Sequence, residues 1–170
     1  MNWRKSTKYP VVSKSVVSVA IWQAKKKGNL VMLLNHNGYL NYNLPQNWCA
    51  EYVDELLLIY NPDGNGAMTI SFFNILDNGK SIDEQISICA KKFIDKNNVK
   101  LKGVLIITGS KDTKLVLQGS GTTLENDFIR IWVVANSQKL VFVSYESDKI
   151  SDEVRFVIKL LAVWNLCKLL

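Results

Sequence analysis

The chain has 170 residues and a mass of 19.3 kDa, the size of one domain that can bury a core of its own. Hydrophobic residues make up 48% and charged residues 21%, which excludes a disordered or fibrous chain. The formal net charge is +6, but residues 1–30 hold seven basic side chains and no acidic one. The basic excess therefore belongs to the N-terminal segment, and the rest of the chain is close to neutral.

No segment has the features of a membrane span, a cleaved leader or a disulfide framework. The longest apolar runs, such as "IKLLAVW" from Ile158, fall far short of the ~20 residues that a transmembrane helix needs. Lys14 interrupts the apolar part of the leader, and lysines follow where a signal peptidase would need small residues. Cys49, Cys89 and Cys167 cannot all pair with one another, which favours a reducing compartment. We therefore expect a cytoplasmic protein.

The first forty residues alternate apolar runs with turn residues, a pattern typical of β-hairpins. "SVVSVAIWQA" and "NLVMLLN" flank "KKKG", which predicts a hairpin whose turn carries Lys25, Lys26 and Lys27. The Asn-Gly pair in "NHNG" predicts a second tight turn, which contains His36 and Asn37 and leads into the strand "YLNYNL".

Further strands follow Pro45, which cannot donate a hydrogen bond to a sheet and should end the preceding strand. "WCAEYV" and "LLLIYN" predict a hairpin that turns at "DE", and "NPDGNG" is a loop that leads into the strand "AMTISFF". A phosphate-binding loop would need a lysine and a following helix, so we interpret Gly64 and Gly66 as turn and bulge glycines.

The hydrophobic period changes at "SIDEQISICAKKFIDKN", where Ser81 and Glu84 form a capping box at the start of a predicted helix. Strands return with "VLIITG", "KLVLQG", "DFIRIWVVA" and "KLVFVSYES". The third of these places Arg130 and Trp132 on one face and isoleucines on the other, which predicts a central strand that is covered on both faces. The segment from Ser151 to the end predicts a second amphipathic helix.

This order of elements resembles the PsbP-like superfamily. The resemblance rests on the "LPQNW" opening, the "IYNPDGNGAMTIS" corner, an Arg-x-Trp strand and the "SDEVRFVIKLL" segment, and it is closest to small uncharacterised bacterial members. It implies an α+β fold in which an antiparallel β-sheet meander has helices packed on both faces, an α/β/α sandwich. It covers residues 38–170, whereas residues 1–37 are predicted to be a basic leader plus a β-hairpin, a candidate for addition to the sheet.

The resemblance implies binding or assembly, because members of this superfamily share no catalytic centre. The residues favour the same interpretation. His36 is the only histidine, Cys89 lies on the apolar stripe of its predicted helix, and paired acids occur only at turns and helix starts. Asp63 and Asn61 lack the distal glutamate of a calcium loop. We therefore expect no enzyme activity, no catalytic or metal-binding residue and no cofactor.

The first hypothesis is a noncatalytic protein-binding module of a small bacterial protein, for example an immunity or antitoxin-type inhibitor. The alternative is an accessory protein tethered to nucleic acid or an anionic membrane by its basic residues 1–30, whose affinity should fall steeply with salt. Loops on a rigid scaffold concentrate binding residues. The candidate partner-binding residues are those of the predicted turns: Lys25, Lys26, Lys27, His36, Asn37, Asp63 and Asn65.

Overall fold

The computed structural model of the protein describes residues 19–26, 29–36, 40–44, 47–110, 114–150, 152–155 and 157. The strands in this part of the chain form a three-stranded sheet and an eight-stranded sheet, in which all pairs are antiparallel. One helix, α1 (Ile82–Lys96), follows the sixth strand and packs on the larger sheet.

The three-stranded sheet contains β1 (Val19–Lys26), β2 (Asn29–His36) and β3 (Leu40–Leu44), in that order. The pairing of β1 with β2 agrees with the predicted hairpin, although Lys25 and Lys26 belong to β1 and not to the turn. His36 was predicted in a turn, and this is wrong because it is the last residue of β2 and pairs with both Val19 and Leu40.

Two of the predicted binding residues, Lys27 and Asn37, lie outside the described residues. The division of the chain at residue 38 stays a prediction. The hairpin of β1 and β2 pairs with β3, which begins beyond that division at Leu40, and not with a strand of the larger sheet.

The eight-stranded sheet is two meanders joined side by side. Its order is β4-β5-β6-β11-β10-β9, and both β7 and β8 pair with the outer side of β9. The predicted single meander is therefore corrected, because β6 pairs with β11 across the whole intervening segment. The strands are β4 (Cys49–Val53), β5 (Leu56–Tyr60), β6 (Gly66–Asn74), β7 (Lys100–Leu101), β8 (Ile106–Ser110), β9 (Lys114–Thr122), β10 (Phe128–Ala135) and β11 (Lys139–Ser147).

Local signals explain the hairpin between β4 and β5 and the start of α1. Asp54 and Glu55 have φ of 49° and 70°, the left-handed backbone that a two-residue hairpin turn requires. At Ser81 the backbone N–H donates to Glu84 Oε2 at 2.8 Å, while the Ser81 hydroxyl accepts from the Glu84 N–H at 3.4 Å. The predicted capping box is therefore present, and it stabilises the first turn of α1.

The core lies on both faces of the larger sheet. On the face that carries Ile129, Ile131 and Val133, which we call the α1 face, the helix buries Ile86 and Ala90 against the strands. The opposite face, which we call the Trp132 face, buries Trp132 with apolar side chains of β5, β6 and β11. These strand residues are Leu57, Ile59, Met68, Ile70, Val141, Val143 and Tyr145. Strand β10 is therefore central and covered on both faces, as its alternation predicted.

Residues 152–155 and 157 are helical, and Val154 and Val157 are buried in the cluster on the Trp132 face. Their contacts place the start of the C-terminal segment opposite α1. The remainder of the predicted second helix, from Ile158 onward, lies outside the described residues.

Removing the capping hydroxyl should destabilise the protein. We expect Ser81→Ala to lower the free energy of unfolding by about 1 kcal/mol, because the Glu84 N–H loses its acceptor. Urea denaturation measures this change. Ser87→Ala is the matched control, since the Ser87 hydroxyl donates only to the Asp83 carbonyl within the same helix, and it should change stability by less than about 0.5 kcal/mol. Equal losses in the two variants would contradict the capping role.

Candidate functional site

The glycine-rich corner joins β5 to β6 and is fixed by hydrogen bonds within the loop. The Gly64 N–H donates to the Asn61 carbonyl at 2.9 Å, and the Asp63 N–H donates to Asn61 Oδ1 at 3.2 Å. Asp63 and Asn65 are both exposed, as the prediction of a binding loop requires. Their role as binding residues stays a prediction.

A carboxylate from the C-terminal segment holds this corner in place. Glu153 Oε2 accepts from the Asn65 N–H at 2.7 Å, across 88 positions of the chain. The side chain of Tyr145, on β11, is fully buried beside the same carboxylate. Burial, and then the negative charge of Glu153, raise the pKa of Tyr145 to about 12. The corner is therefore a packed junction between β6, β11 and the start of the C-terminal segment.

The two glycines of the corner are explained by this packing. Neither Gly64 nor Gly66 has a positive φ, and Gly66 is the first residue of β6, paired with Ser147, so the interpretation of Gly66 as a bulge glycine is wrong. A Cβ at position 66 would lie 2.5 Å from the Glu146 carbonyl and from the Tyr145 hydroxyl, and one at position 64 would lie 2.6 Å from the Glu153 carboxylate. Glycine is required because other groups approach the backbone closely.

The predicted lysine and histidine turns do not form one patch on the small sheet. Lys25 and Lys26 are at the end of β1 that faces Asn29, whereas His36 is at the other end of β2. At 3.2–3.4 Å per residue, the eight-residue strand β2 separates these two ends by roughly 23 Å.

Ionisable groups with displaced pKa values are spread over the molecule. Burial raises the pKa of the Cys89 thiol on α1 to about 11, so the thiol is protonated and unreactive at neutral pH. Burial lowers the pKa of Arg130, whose guanidinium donates to Gln118 Oε1 at 3.2 Å and lies over the Trp132 ring at 5.2 Å. Burial, with the nearby charges of Asp127 and Glu125, raises the pKa of Glu146. Arg130 points to the Trp132 face, and Glu146 and Cys89 to the α1 face.

A basic, apolar edge strand is the most prominent exposed feature. Residues 100–108, which we call the basic edge, run through β7, a kink and β8 along the outer side of β9. Four of the nine large hydrophobic side chains that are exposed in the described part of the chain lie here: Leu101 (36%), Val104 (82%), Ile106 (52%) and Ile107 (43%). Lys100 and Lys102 are exposed beside them, and the segment contains no acid.

The basic edge is held rigidly against the sheet. The Lys102 N–H donates to the Ser120 carbonyl at 2.8 Å, and Gly103, with a φ of 99°, makes the kink between β7 and β8. Leu105 packs against the core of the α1 face, which leaves Val104 in solvent. Among the described strands β8 pairs only with β9, so its outer backbone groups face away from the sheet.

An open groove of about 330 Å³ separates the basic edge from α1. Ile107 forms one wall, and Ile88 lies on the helical wall together with polar side chains. The polar lining residues are Lys80, Asp83, Glu84 and Ser87. The groove can accept an apolar side chain that lies beside β8 and contacts both isoleucines.

The other edge of the eight-stranded sheet is acidic. Residues 49–55, which we call the acidic edge, comprise β4 and the turn after it. Glu51, Asp54 and Glu55 are exposed, and residues 47–58 contain no basic side chain. Tyr52 and Val53 are 38% and 47% exposed, so this edge also presents apolar surface.

Sequence reasoning identified the strand "VLIITG" but missed that it borders the sheet, and it missed β7 entirely. The strand at the border of the sheet is determined by pairings between distant segments of the chain, which a local pattern does not show. One signal was present, since lysines at alternate positions next to apolar residues in "KLKGVLII" are typical of edge strands.

Similarity to solved structures supports the fold. The cyanobacterial PsbP (CyanoP) from Synechocystis sp. PCC 6803 is 10% identical, with a TM-score of 0.55 over 92% of this chain and 94% of that chain. The Ran-binding protein Mog1p of Saccharomyces cerevisiae is 12% identical and a mutant of protein Mog1 is 11% identical, each with a TM-score of 0.48 over 89% of this chain and 92% of that chain. No protein-family model matches the sequence, and no curated protein matches it. The protein has a PsbP-like fold, and such low identity says nothing further about its role.

Two other kinds of site are absent from the described residues. No helix within the described ranges is long and apolar enough to cross a membrane. No group of three or more histidine, cysteine, aspartate or glutamate side chains among the same residues could hold a metal ion.

Alanine substitutions should distinguish the two corner glycines. We expect Gly66→Ala to cost roughly 2–4 kcal/mol of stability, because a backbone carbonyl blocks its Cβ, whereas Gly64→Ala meets only the mobile end of Glu153 and should cost about 1 kcal/mol. A double-mutant cycle by urea denaturation checks this. In a Glu153→Ala background the cost of Gly64→Ala should fall close to zero, and that of Gly66→Ala should remain. Unchanged costs for both would contradict the junction.

Alkaline pH should destabilise the protein through Tyr145. The folded state releases this proton near pH 12 and the unfolded state near pH 10, so between these values the unfolded state binds fewer protons and rising pH favours unfolding. At about pH 11 the wild type should have lost about 1.4 kcal/mol more stability, relative to pH 8, than Tyr145→Phe. Urea denaturation at both pH values measures the difference. Parallel losses in the two proteins would contradict the shifted pKa.

Proposed function

We propose that the chain is a noncatalytic protein-binding module whose binding surface is the basic edge together with the groove beside α1. The observation that carries this proposal is the concentration of exposed apolar side chains at that edge, with Val104 82% exposed. Clustered apolar surface on a folded protein marks interaction sites, whereas single exposed apolar residues do not. The PsbP-like fold supports the proposal only as a scaffold.

Binding by strand addition fits the geometry of the edge. A partner segment in extended conformation would pair with the outer backbone groups of β8, which have no strand partner among the described residues. Ile106 pairs with Gln118 on the Trp132 face, and Ile107 pairs with Leu117 on the α1 face, so the two isoleucines contact alternate side chains of the incoming strand. One of those side chains would enter the groove between Ile107 and Ile88.

The charges of the edge define the chemistry of the partner segment. Lys100 and Lys102 are exposed at the β7 end, and no acid lies in residues 100–108. A partner strand with acidic side chains at one end and apolar side chains along its length is therefore favoured, and a basic strand is repelled.

A noncatalytic role is supported by the arrangement of the reactive groups. The Cys89 thiol has a pKa of about 11, and it lies on the α1 face, whereas Arg130 points to the opposite face. Catalysis needs an acid, a base or a nucleophile that converge on one substrate. The groove beside α1 is lined by one lysine, two acids and a serine at the capped start of a helix, where acids are expected for stability alone.

Finer roles remain predictions from the sequence. Toxin neutralisation and a bacterial origin were proposed from the resemblance, and a cytoplasmic location from the cysteines and the N-terminal sequence. A second helical layer on the Trp132 face was proposed from the resemblance and from the amphipathic pattern after Ser151. The predicted contacts at Lys25, Lys26, Lys27, His36, Asn37, Asp63 and Asn65 are secondary candidates. The tethering alternative depends on residues 1–30, and it differs from edge binding in its response to salt.

Substitution of Ile106 should strongly reduce partner capture. With the immobilised protein and an extract of the native host, we expect Ile106→Lys to reduce the recovered partner roughly tenfold, because it places a charge in the centre of the apolar edge. Leu124→Lys is the matched control, since Leu124 is also exposed (66%) but lies in the connection between β9 and β10. Quantitative mass spectrometry measures the recovered protein.

The same capture experiment tests the alternative. Binding through the edge should survive removal of residues 1–18 and should weaken only modestly between about 0.05 M and about 0.5 M salt. Capture that is lost with residues 1–18, or that is equal for Ile106→Lys and wild type, would contradict the proposal.

A further inference from the structure

The two edges of the eight-stranded sheet are complementary, and this complementarity identifies an occupant for the basic edge. Resting on the proposed function, we propose that the partner strand is the acidic edge of a second copy of this chain, so that copies associate head to tail through a continuous sheet. Six of the nine exposed large hydrophobic side chains in the described part of the chain lie on these two edges. Three exposed acids on one edge match two exposed lysines on the other.

Antiparallel pairing brings opposite charges together. In an antiparallel arrangement the C-terminal end of β4, followed by Asp54 and Glu55, points toward the N-terminal end of the basic edge, where Lys100 and Lys102 lie. A parallel arrangement would bring the same acids to the end of β8, which Lys111 follows in the sequence, so charge is compatible with both directions. Antiparallel pairing is favoured because it is slightly more stable per residue than parallel pairing.

The lengths and surfaces of the two edges also match. β4 and β8 each contain five residues, so a β4 strand covers β8 without overhang. Tyr52 and Val53 alternate in direction along β4, as Ile106 and Ile107 do along β8, so apolar side chains meet on both faces of the joined sheet.

Net charge disfavours the symmetric alternatives. Two basic edges would bring together two positively charged surfaces, and two acidic edges would bring together two negatively charged surfaces. Lysines on an edge strand commonly oppose sheet extension, and the acidic edge is the one that compensates their charge. Because the two joined surfaces differ, the contact does not close as a dimer, and longer oligomers form as the concentration rises.

Sedimentation equilibrium of the full chain tests this inference. The average mass of the wild type should rise from the monomer value between about 5 µM and about 500 µM. Lys102→Glu and Glu55→Lys should each weaken association about two- to fivefold. An equimolar mixture of the two variants should recover it, because alternating copies place opposite charges at positions 55 and 102 in every contact. Ile106→Lys should weaken it roughly tenfold or more.

Two controls and two outcomes complete the test. Lys149→Glu and Leu124→Lys change exposed residues away from both edges and should associate as the wild type does. A wild type that stays monomeric throughout, or a mixture of the charge variants that does not recover, would overturn the inference. If the wild type is monomeric but Ile106→Lys still loses a captured protein, the proposed function stands and only the second copy is excluded.

Discussion

The pairing of β6 with β11 is the interaction on which the rest of the structure depends. It runs over nine residue pairs, from Gly66 with Ser147 to Asn74 with Lys139, and joins two meanders that are each local in sequence. β4, β5 and β6 follow one another along the chain, as do β8, β9, β10 and β11. Without this contact, Met68 and Ile70 of the first meander would lose the side chains of β11 that bury them.

The same pairing builds both cores. On the Trp132 face it brings Met68 and Ile70 of the first meander against Val143 and Tyr145 of the second. On the α1 face it places the Thr69 and Ser144 hydroxyls 2.6 Å apart, so the polar groups near the junction satisfy each other. The helix α1 follows β6 in the chain, but it packs on β9, β10 and β11 of the second meander. Its position therefore depends on strands that come later in the sequence. Among the described strands, β4 and β8 each pair on one side only, so the described sheet has two dissimilar edges.

Features that depend on neighbouring residues could be predicted from the sequence, whereas features that depend on the pairing of distant strands could not. The capping box at Ser81, the Asp54–Glu55 turn and the alternation of "DFIRIWVVA" need only neighbouring residues, and all three predictions agree with the structure. The pairing of β6 with β11 could not be predicted, since no short-range pattern states which of several apolar strands will be adjacent. Gly66 was misinterpreted for the same reason, because the group that excludes its Cβ comes from β11. The basic edge could not be predicted for the same reason. Ile106 is exposed because β8 is the last described strand on its side of the sheet, which depends on long-range pairing.

The recognisable motifs and the proposed binding surface therefore belong to different parts of the fold. The corner from Asn61 to Gly66 has its distinctive composition because Tyr145 and Glu153 pack against its backbone, which constrains residue choice wherever this junction is built. The edges face solvent, where lysines, acids and isoleucines are compatible with the same sheet, so the fold does not dictate them. Because the corner's composition reflects this packing, a resemblance that rests on the corner identifies the fold. The identity of the partner must be sought in the charge and apolar pattern of the edges, which the scaffold leaves open.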